Sequence, residues 1–329
     1  MKNLKSEVAE SSITELYQEM LKNAHGPVAI RMTNDYLFKM LMQEADQVLR
    51  ALICALLHYT PDQLKDLQII NPIIPGDTID EKSIVLDVRV IFNNGSILDL
   101  EMQVVNELNW PDRSLYYACR NFTRLNKGKR YEECTPSIHI GLLDFTLFPE
   151  HRVFYSTYRL KDDTGYLYTD KLSIRVVDLT MTSIATADDR HYNIDKWAQF
   201  FKSETWEEII MLAKQDTNIA AAATTIYQLS EDERFRQQCE AREDYELRQR
   251  SWENRVLTLT NEIEAKDEEI SAKDEALTAK NEEIASKNEE IAAKDEALTA
   301  KNEEIASKNE EIAALRAKLA QYESSEDTQ

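Results

Sequence analysis

The chain has 329 residues with 39 Lys and Arg against 60 Asp and Glu, a formal net charge of −21; this length allows one or two domains. Residues 231–329 alone carry 28 acidic and 15 basic residues, and the first 230 are acidic as well, with 32 against 24, so nucleic-acid binding by overall charge is excluded and would need a local basic patch. Cys54, Cys119, Cys134 and Cys239 form no CxxC pair, and His25, His58, His139, His151 and His191 show no ligand spacing, which argues against a disulfide framework or a zinc site.

Residues 1–25 read as a polar, mildly helical leader without the apolar core of a signal peptide. No apolar run reaches the roughly 18 residues of a membrane span, so a soluble cytoplasmic protein is expected. Tyr36, Leu37, Met40 and Leu41, then Val48, Leu49, Leu52 and Leu56, recur at helical spacing and predict one or two helices, with Thr33 or Asn34 as N-cap. Asn71-Pro72 and Pro75-Gly76-Asp77 predict loops.

Ile84 to Phe92 and Ser96 to Val105 both alternate apolar and polar residues around Asn93-Asn94-Gly95, the pattern of a β-hairpin. A three-residue loop, a type I turn followed by a left-handed Gly95, pairs Phe92 with Ser96 and sets Asp87 opposite Glu101 on one face. A two-residue loop would shift that register by one. Residues 113–126 predict a helix with an apolar stripe of Leu115, Cys119, Phe122 and Leu125; Arg113, Tyr117, Arg120 and Arg124 share a band on another side. From Arg113 to Tyr131 there are six basic residues and no acidic one, a local basic patch. Strands are expected over 136–148, 153–160 and 172–179, and helices over 195–202, 206–214 and 219–229. The order suits a mixed α/β sandwich rather than a doubly wound sheet.

In the C-terminal part Ile or Leu returns every seven residues from Ile263 to Leu319. Residues 270–290 and 291–311 are one 21-residue unit repeated, differing only at Ser271 against Ala292. Seven-residue spacing without Gly or Pro predicts a long helix. Its other seam position is polar, either Asp and Asn or the recurrent Lys. That fits a weak, partner-dependent coiled coil or a solvated single helix. The expected division is a leader over 1–25, an α/β domain over 26–230 and a helical tail over 231–329, with the tail driving self-association or setting the spacing to a partner.

Asp87, Glu101 and Gln103 converge on one face of the hairpin. Paired carboxylates suit Mg²⁺, which prefers oxygen donors and keeps several waters. Such an ion polarises a phosphate and activates water. The same pattern also describes a hairpin with one solvated face.

NDYLFKML at 34–41, IVLDVRV at 84–90, LEMQ at 100–103, RSLYYACRNF at 113–122 and KGKRYEECTPSIHIGLLDF at 127–145 resemble, in content and order, the recombination-promoting nuclease (Rpn) and transposase family. DKWAQFF at 195–201, with Trp197, fits its closing segment. The resemblance covers roughly residues 30–215 and implies a restriction-endonuclease-like PD-(D/E)XK core: a mixed sheet with flanking helices, here followed by the long heptad-repeat helix. It implies a metal-dependent DNA endonuclease tied to recombination or mobile elements, with Mg²⁺ or Mn²⁺ as cofactor and DNA as partner. Asp87 and Glu101 become the metal-binding carboxylates, joined by the Met102 backbone carbonyl. Gln103 takes the catalytic position where the wider superfamily has a lysine. Asp35 matches an acidic residue of the first helix. Arg113, Tyr117, Arg120 and Arg124 become phosphate contacts. The alternative is a catalytically inactive DNA-binding or interaction protein on the same scaffold.

Overall fold

The computed structural model describes residues 14–74, 84–85, 87–93, 95–123 and 128–326. Residues 1–13, the predicted Pro75-Gly76-Asp77 loop, Leu86, Asn94 and residues 124–127, with Arg124 and Leu125, lie outside them. The chain divides into two units, Met1–Asn254 and Arg255–Gln329. The division expected at 230/231 marks the start of the last helix, whose first turns pack with the first unit.

The strands are β1 (Gln68–Ile69), β2 (Ile73–Ile74), β3 (Ile84–Val85), β4 (Val88–Phe92), β5 (Ser96–Gln103), β6 (Ser137–Leu143), β7 (Tyr155–Arg159) and β8 (Leu172–Asp178). Six of them form one sheet in the order β1-β4-β5-β6-β8-β7, while β2 and β3 pair with each other. The central β5, β6 and β8 run parallel, and the flanking pairings are antiparallel. Helices are α1 (residues 14–23), α2 (Asp35–Glu44), α3 (Asp46–Leu57), α4 (Trp110–Phe122), α5 (Ala187–His191), α6 (Ile194–Lys202), α7 (Trp206–Ala213), α8 (Thr217–Ser230) and α9 (Glu233–Glu326). This is the mixed sheet with flanking helices of the PD-(D/E)XK fold.

The expected N-cap is Asn34, whose side-chain oxygen accepts from the Tyr36 and Leu37 N–H groups at 3.1 Å each. Such a cap is worth about 1 kcal/mol. The hairpin pairs Phe92 with Ser96 and Val88 with Leu100, the register of a three-residue loop. Its turn is not type I: Asn93 has φ +43°, where type I requires about −60°. Asn tolerates that conformation. Asn93 is held there by its side chain, which donates to the Gln63 carbonyl and accepts from the Lys65 N–H, both at 2.6 Å.

Alternation along the strands gives the sheet two different faces. Val88, Val90, Phe92, Leu98, Leu100, Met102, Ile140, Leu142 and Val177 join the main core with Leu37, Phe38, Leu52, Trp197 and Phe201. Each such side chain contributes about 1.5–3 kcal/mol by leaving water. Met20 of α1 is fully buried there too, so this part of the expected leader is packed.

Arg89, Asp99, Glu101, Ser137 and His139 occupy the other face, and all are buried. Helix α4 covers them. It starts at Trp110, earlier than predicted, with Pro111 in its first turn, and it buries Trp110, Ser114, Tyr117, Ala118 and Asn121. The predicted apolar stripe is not the buried side: Leu115 is 48% exposed. A polar sheet face selects polar helix partners.

In the second unit α9 continues as one helix. Its Ile and Leu seam from Ile263 to Leu319 is 46–60% exposed. Glu-to-Lys pairs one turn apart line it, at 269/273, 283/287, 290/294 and 304/308, with N–O distances of 2.5–2.6 Å. Each adds about 0.2–0.5 kcal/mol, in the more favourable orientation.

Gly141 of β6 lies under Trp110, and a Cβ there would stand 2.1 Å from that ring. Gly141→Ala is expected to lower stability by about 1–3 kcal/mol in denaturant unfolding. An unchanged midpoint would show that the ring yields freely.

Candidate active site

The predicted strand over 84–92 is two strands in different sheets, and Asp87 stands at the bend between β3 and β4. The next step of the Val88–Leu100 register places it across from Glu101. Its Oδ2 accepts a hydrogen bond from the Met102 N–H at 2.9 Å. Glu101, on β5, is 6% exposed. Its Oε2 lies 3.6 Å from Nη2 of Arg113 and 3.9 Å from Nε2 of His139. The solvated-face description therefore does not hold for Glu101.

Burial raises the Asp87 carboxyl well above the usual carboxylate range. The negative charges of Glu101 and Asp35 raise it further, against the Met102 N–H and Arg242. Burial also raises Glu101, opposed by His139 and Arg113. Two carboxylates held against their own ionisation form a site that gains by binding a cation. The donors are oxygens, as Mg²⁺ and Mn²⁺ prefer. Among the described residues no three of His, Cys, Asp and Glu gather into a metal cluster. Backbone and water oxygens would have to complete the coordination, which suits Mg²⁺. Met102 lines, with Asp35, Gln103 and Arg242, a cavity of about 30 Å³, space for a water or a small ion.

Gln103 is beside the pair with both ends engaged. Its Nε2 donates to the Val105 carbonyl at 2.8 Å, and its Oε1 accepts from Arg113 at 2.6 Å. Arg113 also pairs with Glu107 at 3.0 Å and lies over the Trp110 ring at 5.2 Å. Thus Asp87, Glu101, Gln103 and Arg113 are brought together. Tyr117 is buried beneath them, its hydroxyl pushed up by burial and by Glu101. Arg120 is half-buried further along α4, and Arg124 lies outside the described residues. In the rest of the basic patch, Lys129 and Arg130 pair with Glu133.

Asp35, in the first turn of α2, is gripped by Arg242 of α9, whose Nε stands 2.6 and 2.8 Å from its two oxygens. Nearby, Arg31 bonds Glu246 at 2.8 Å, and Arg250 donates to the Val104 carbonyl at 3.3 Å. Sequence reasoning missed Arg242 and Glu246, because no local pattern links α2 to residues about 200 positions away. His139 entered only as one of five histidines without ligand spacing. That ring is fully buried, 4.0 Å from Asp99 and 3.9 Å from Glu101. A lone polar residue in the apolar run around it was the available signal. A larger cavity, about 550 Å³, lies elsewhere, among Arg50, Tyr59, Tyr192 and Asn218.

The family model described as PD-(D/E)XK nuclease family transposase matches residues 32–255. The match continues past 215, the expected end of the resemblance, through the turns of α9 that carry Arg242 and Arg250. Comparison with curated proteins and with solved structures returns no match. Among the described residues no helix is long and apolar enough to cross a membrane.

A carboxyl with a raised folded-state pKa binds its proton more tightly folded than unfolded. Its cost to stability is absent below the ordinary carboxylate pKa, grows as pH rises towards the folded value, and is full above it. In EDTA at neutral pH, Asp87→Asn is therefore expected to raise Tm, by about 2–4 °C for each kcal/mol relieved. The gap should close as pH falls through the window between the ordinary and raised values. A lower Tm for Asp87→Asn at neutral pH would contradict the burial argument.

Proposed function

The chain belongs to the PD-(D/E)XK nuclease family transposases, and on that footing we propose that it is a metal-dependent deoxyribonuclease acting from the Asp87–Glu101 pair. The observation that carries the reading is that pair itself: a half-buried Asp87 and a buried Glu101, both raised, facing each other across a hairpin beside a guanidinium. Nuclease- or transposase-related work follows from the family. Internal cleavage of DNA, and a link to recombination or mobile elements, are our proposal, with the cytoplasm as its place of action.

Hydrolysis adds a water oxygen to phosphorus and breaks one P–O ester bond, and the departing oxygen takes a proton. Mg²⁺ or Mn²⁺, held by Asp87, Glu101 and the Met102 carbonyl, would polarise the phosphate and ease deprotonation of a bound water. The chain's own groups do the positioning. The Met102 N–H orients Asp87, Arg113 and His139 flank Glu101, and Arg242 fixes Asp35 at the rim. Arg120 and Arg124 are proposed phosphate contacts, and Tyr117, buried beside the carboxylate pair, is proposed to support that pair.

One observation favours a second reading, an inactive DNA-binding protein on the same scaffold: Gln103 carries no charge, and its amide nitrogen is turned to Val105. Plasmid nicking decides between them. The parent is expected to nick with Mg²⁺ or Mn²⁺ and to stop in EDTA. Asp87→Ala and Glu101→Ala should each lose several kcal/mol of transition-state stabilisation, about 100-fold or more in rate. DNA binding without cutting, indifferent to Asp87→Ala, would establish the second reading.

The nuclease domain is proposed to span 26–230 and to use the root of α9. The remainder of the helix is proposed to self-associate through its exposed Ile and Leu seam. Deleting residues 255–329 should lower the mass measured by light scattering, and an equal subunit number in the truncated chain would count against it.

A further inference from the structure

Cleavage of a phosphodiester builds negative charge on oxygens that are anionic from the start, so fixed positive charge at the reacting centre lowers the barrier. The side chains gathered here are mostly acidic: Asp35, Asp87, Glu101, Glu107 and Glu246. Among the described residues three guanidinium groups pair with members of this set, and Arg31 is bound to Glu246 at 2.8 Å. Arg242 is held on both oxygens of Asp35 and neutralises that carboxylate. Arg113 is held differently. Its Nη2 sits 2.6 Å from a neutral acceptor, Oε1 of Gln103, and at a longer 3.6 Å from Glu101. Its Nη1 is 3.0 Å from Glu107, and Trp110 lies under the plane. The side chain keeps 18% of its surface open and is tethered on three sides.

Gln103 explains that posture. With Nε2 turned to the Val105 carbonyl, the end of the amide that reaches the site is an acceptor. An acceptor cannot steady a developing anion, yet it can fix a cation. We propose that Arg113 is a catalytic residue, its guanidinium mounted on Gln103 beside Glu101 to stabilise charge on the scissile phosphate, and that Gln103 is its positioning residue. The inference rests on the nuclease reading and deepens it. A mount on β5 and a cation on α4 together place one positive charge at the carboxylate pair.

Moving the charge tests this. Single-turnover plasmid cleavage and binding of a short DNA duplex in EDTA would be measured on the full chain. The variants are Arg113→Gln, Arg113→Lys, Gln103→Lys and the double variant Gln103→Lys/Arg113→Gln. Arg113→Gln should slow cleavage by about 100-fold or more, the scale of one lost transition-state donor. It should weaken duplex binding by less than about fivefold, the scale of one exposed ion pair. Arg113→Lys, which keeps the charge, should stay well above Arg113→Gln in rate. The double variant, with its cation now on β5, should recover at least about tenfold of the loss, one RT ln 10 step. A purely structural role for Arg113 predicts no such recovery. A phosphate contact without catalytic weight predicts that binding weakens as much as the rate. Either result, or Arg113→Gln cutting as fast as the parent, overturns the inference and leaves the nuclease reading intact. A parent that cuts no DNA overturns both.

Discussion

A carboxylate as buried as Glu101 costs several kcal/mol unless its surroundings compensate. Compensation runs along one sheet face as a row of contacts. Arg113 stands on one side of Glu101 and His139 on the other. His139 leads to Asp99, and Asp99 to Arg89, 3.4 Å away and bridged to it by the Asn121 amide. Removing one partner from such a buried pair typically costs about 3–5 kcal/mol, because the other charge is left alone. Helix α4 is the lid of this row, and its buried Ser114, Tyr117 and Asn121 follow from what lies beneath. Gly141, paired with Glu101 across β5 and β6, has no side chain, and Trp110 fills the space above it. That ring in turn carries Arg113. A missing Cβ on one strand thereby helps set where a guanidinium sits beside a carboxylate on the next.

The hairpin was legible in the sequence because its physics is local. Side chains alternate with period two, and loop length sets the pairing, so Asp87 opposite Glu101 followed from counting. The same counting could not see that residues 84–92 leave one sheet and enter another, since periodicity does not report a strand's partners. The turn conformation escaped for a related reason: Asn93 is held by Gln63 and Lys65, which are distant in sequence. The buried side of α4 was misread because an apolar stripe marks the core only when the surface beneath is apolar. Here Leu115 faces outward and Asn121 inward.

The site also draws on the start of the long helix. Asn34 works in both directions, its oxygen capping α2 and its nitrogen donating to the Cys239 carbonyl of α9 at 3.0 Å. One residue along, Asp35 meets Arg242. The first turns of α9 are thus fastened to the segment that presents an acidic group to the site, and the family match includes them. Sequence composition assigned these turns to the charged tail because they are as charged as the rest of it. Their contacts, and Phe235 and Cys239 in the core, set them apart.

The repeat beyond them has its own arithmetic. A unit of 21 residues is three whole heptads. Gaining or losing one copy keeps every Ile and Leu at its heptad position, so a seam wound at 3.5 residues per turn stays continuous, while the helix changes by about 31 Å at 1.5 Å per residue. A unit of 20 or 22 residues would instead slip everything distal to it by one heptad position, about 100° away from the seam. The helix therefore behaves as a ruler with fixed graduations. Unequal exchange between the copies can alter how far it reaches in single steps without scrambling which surface it shows.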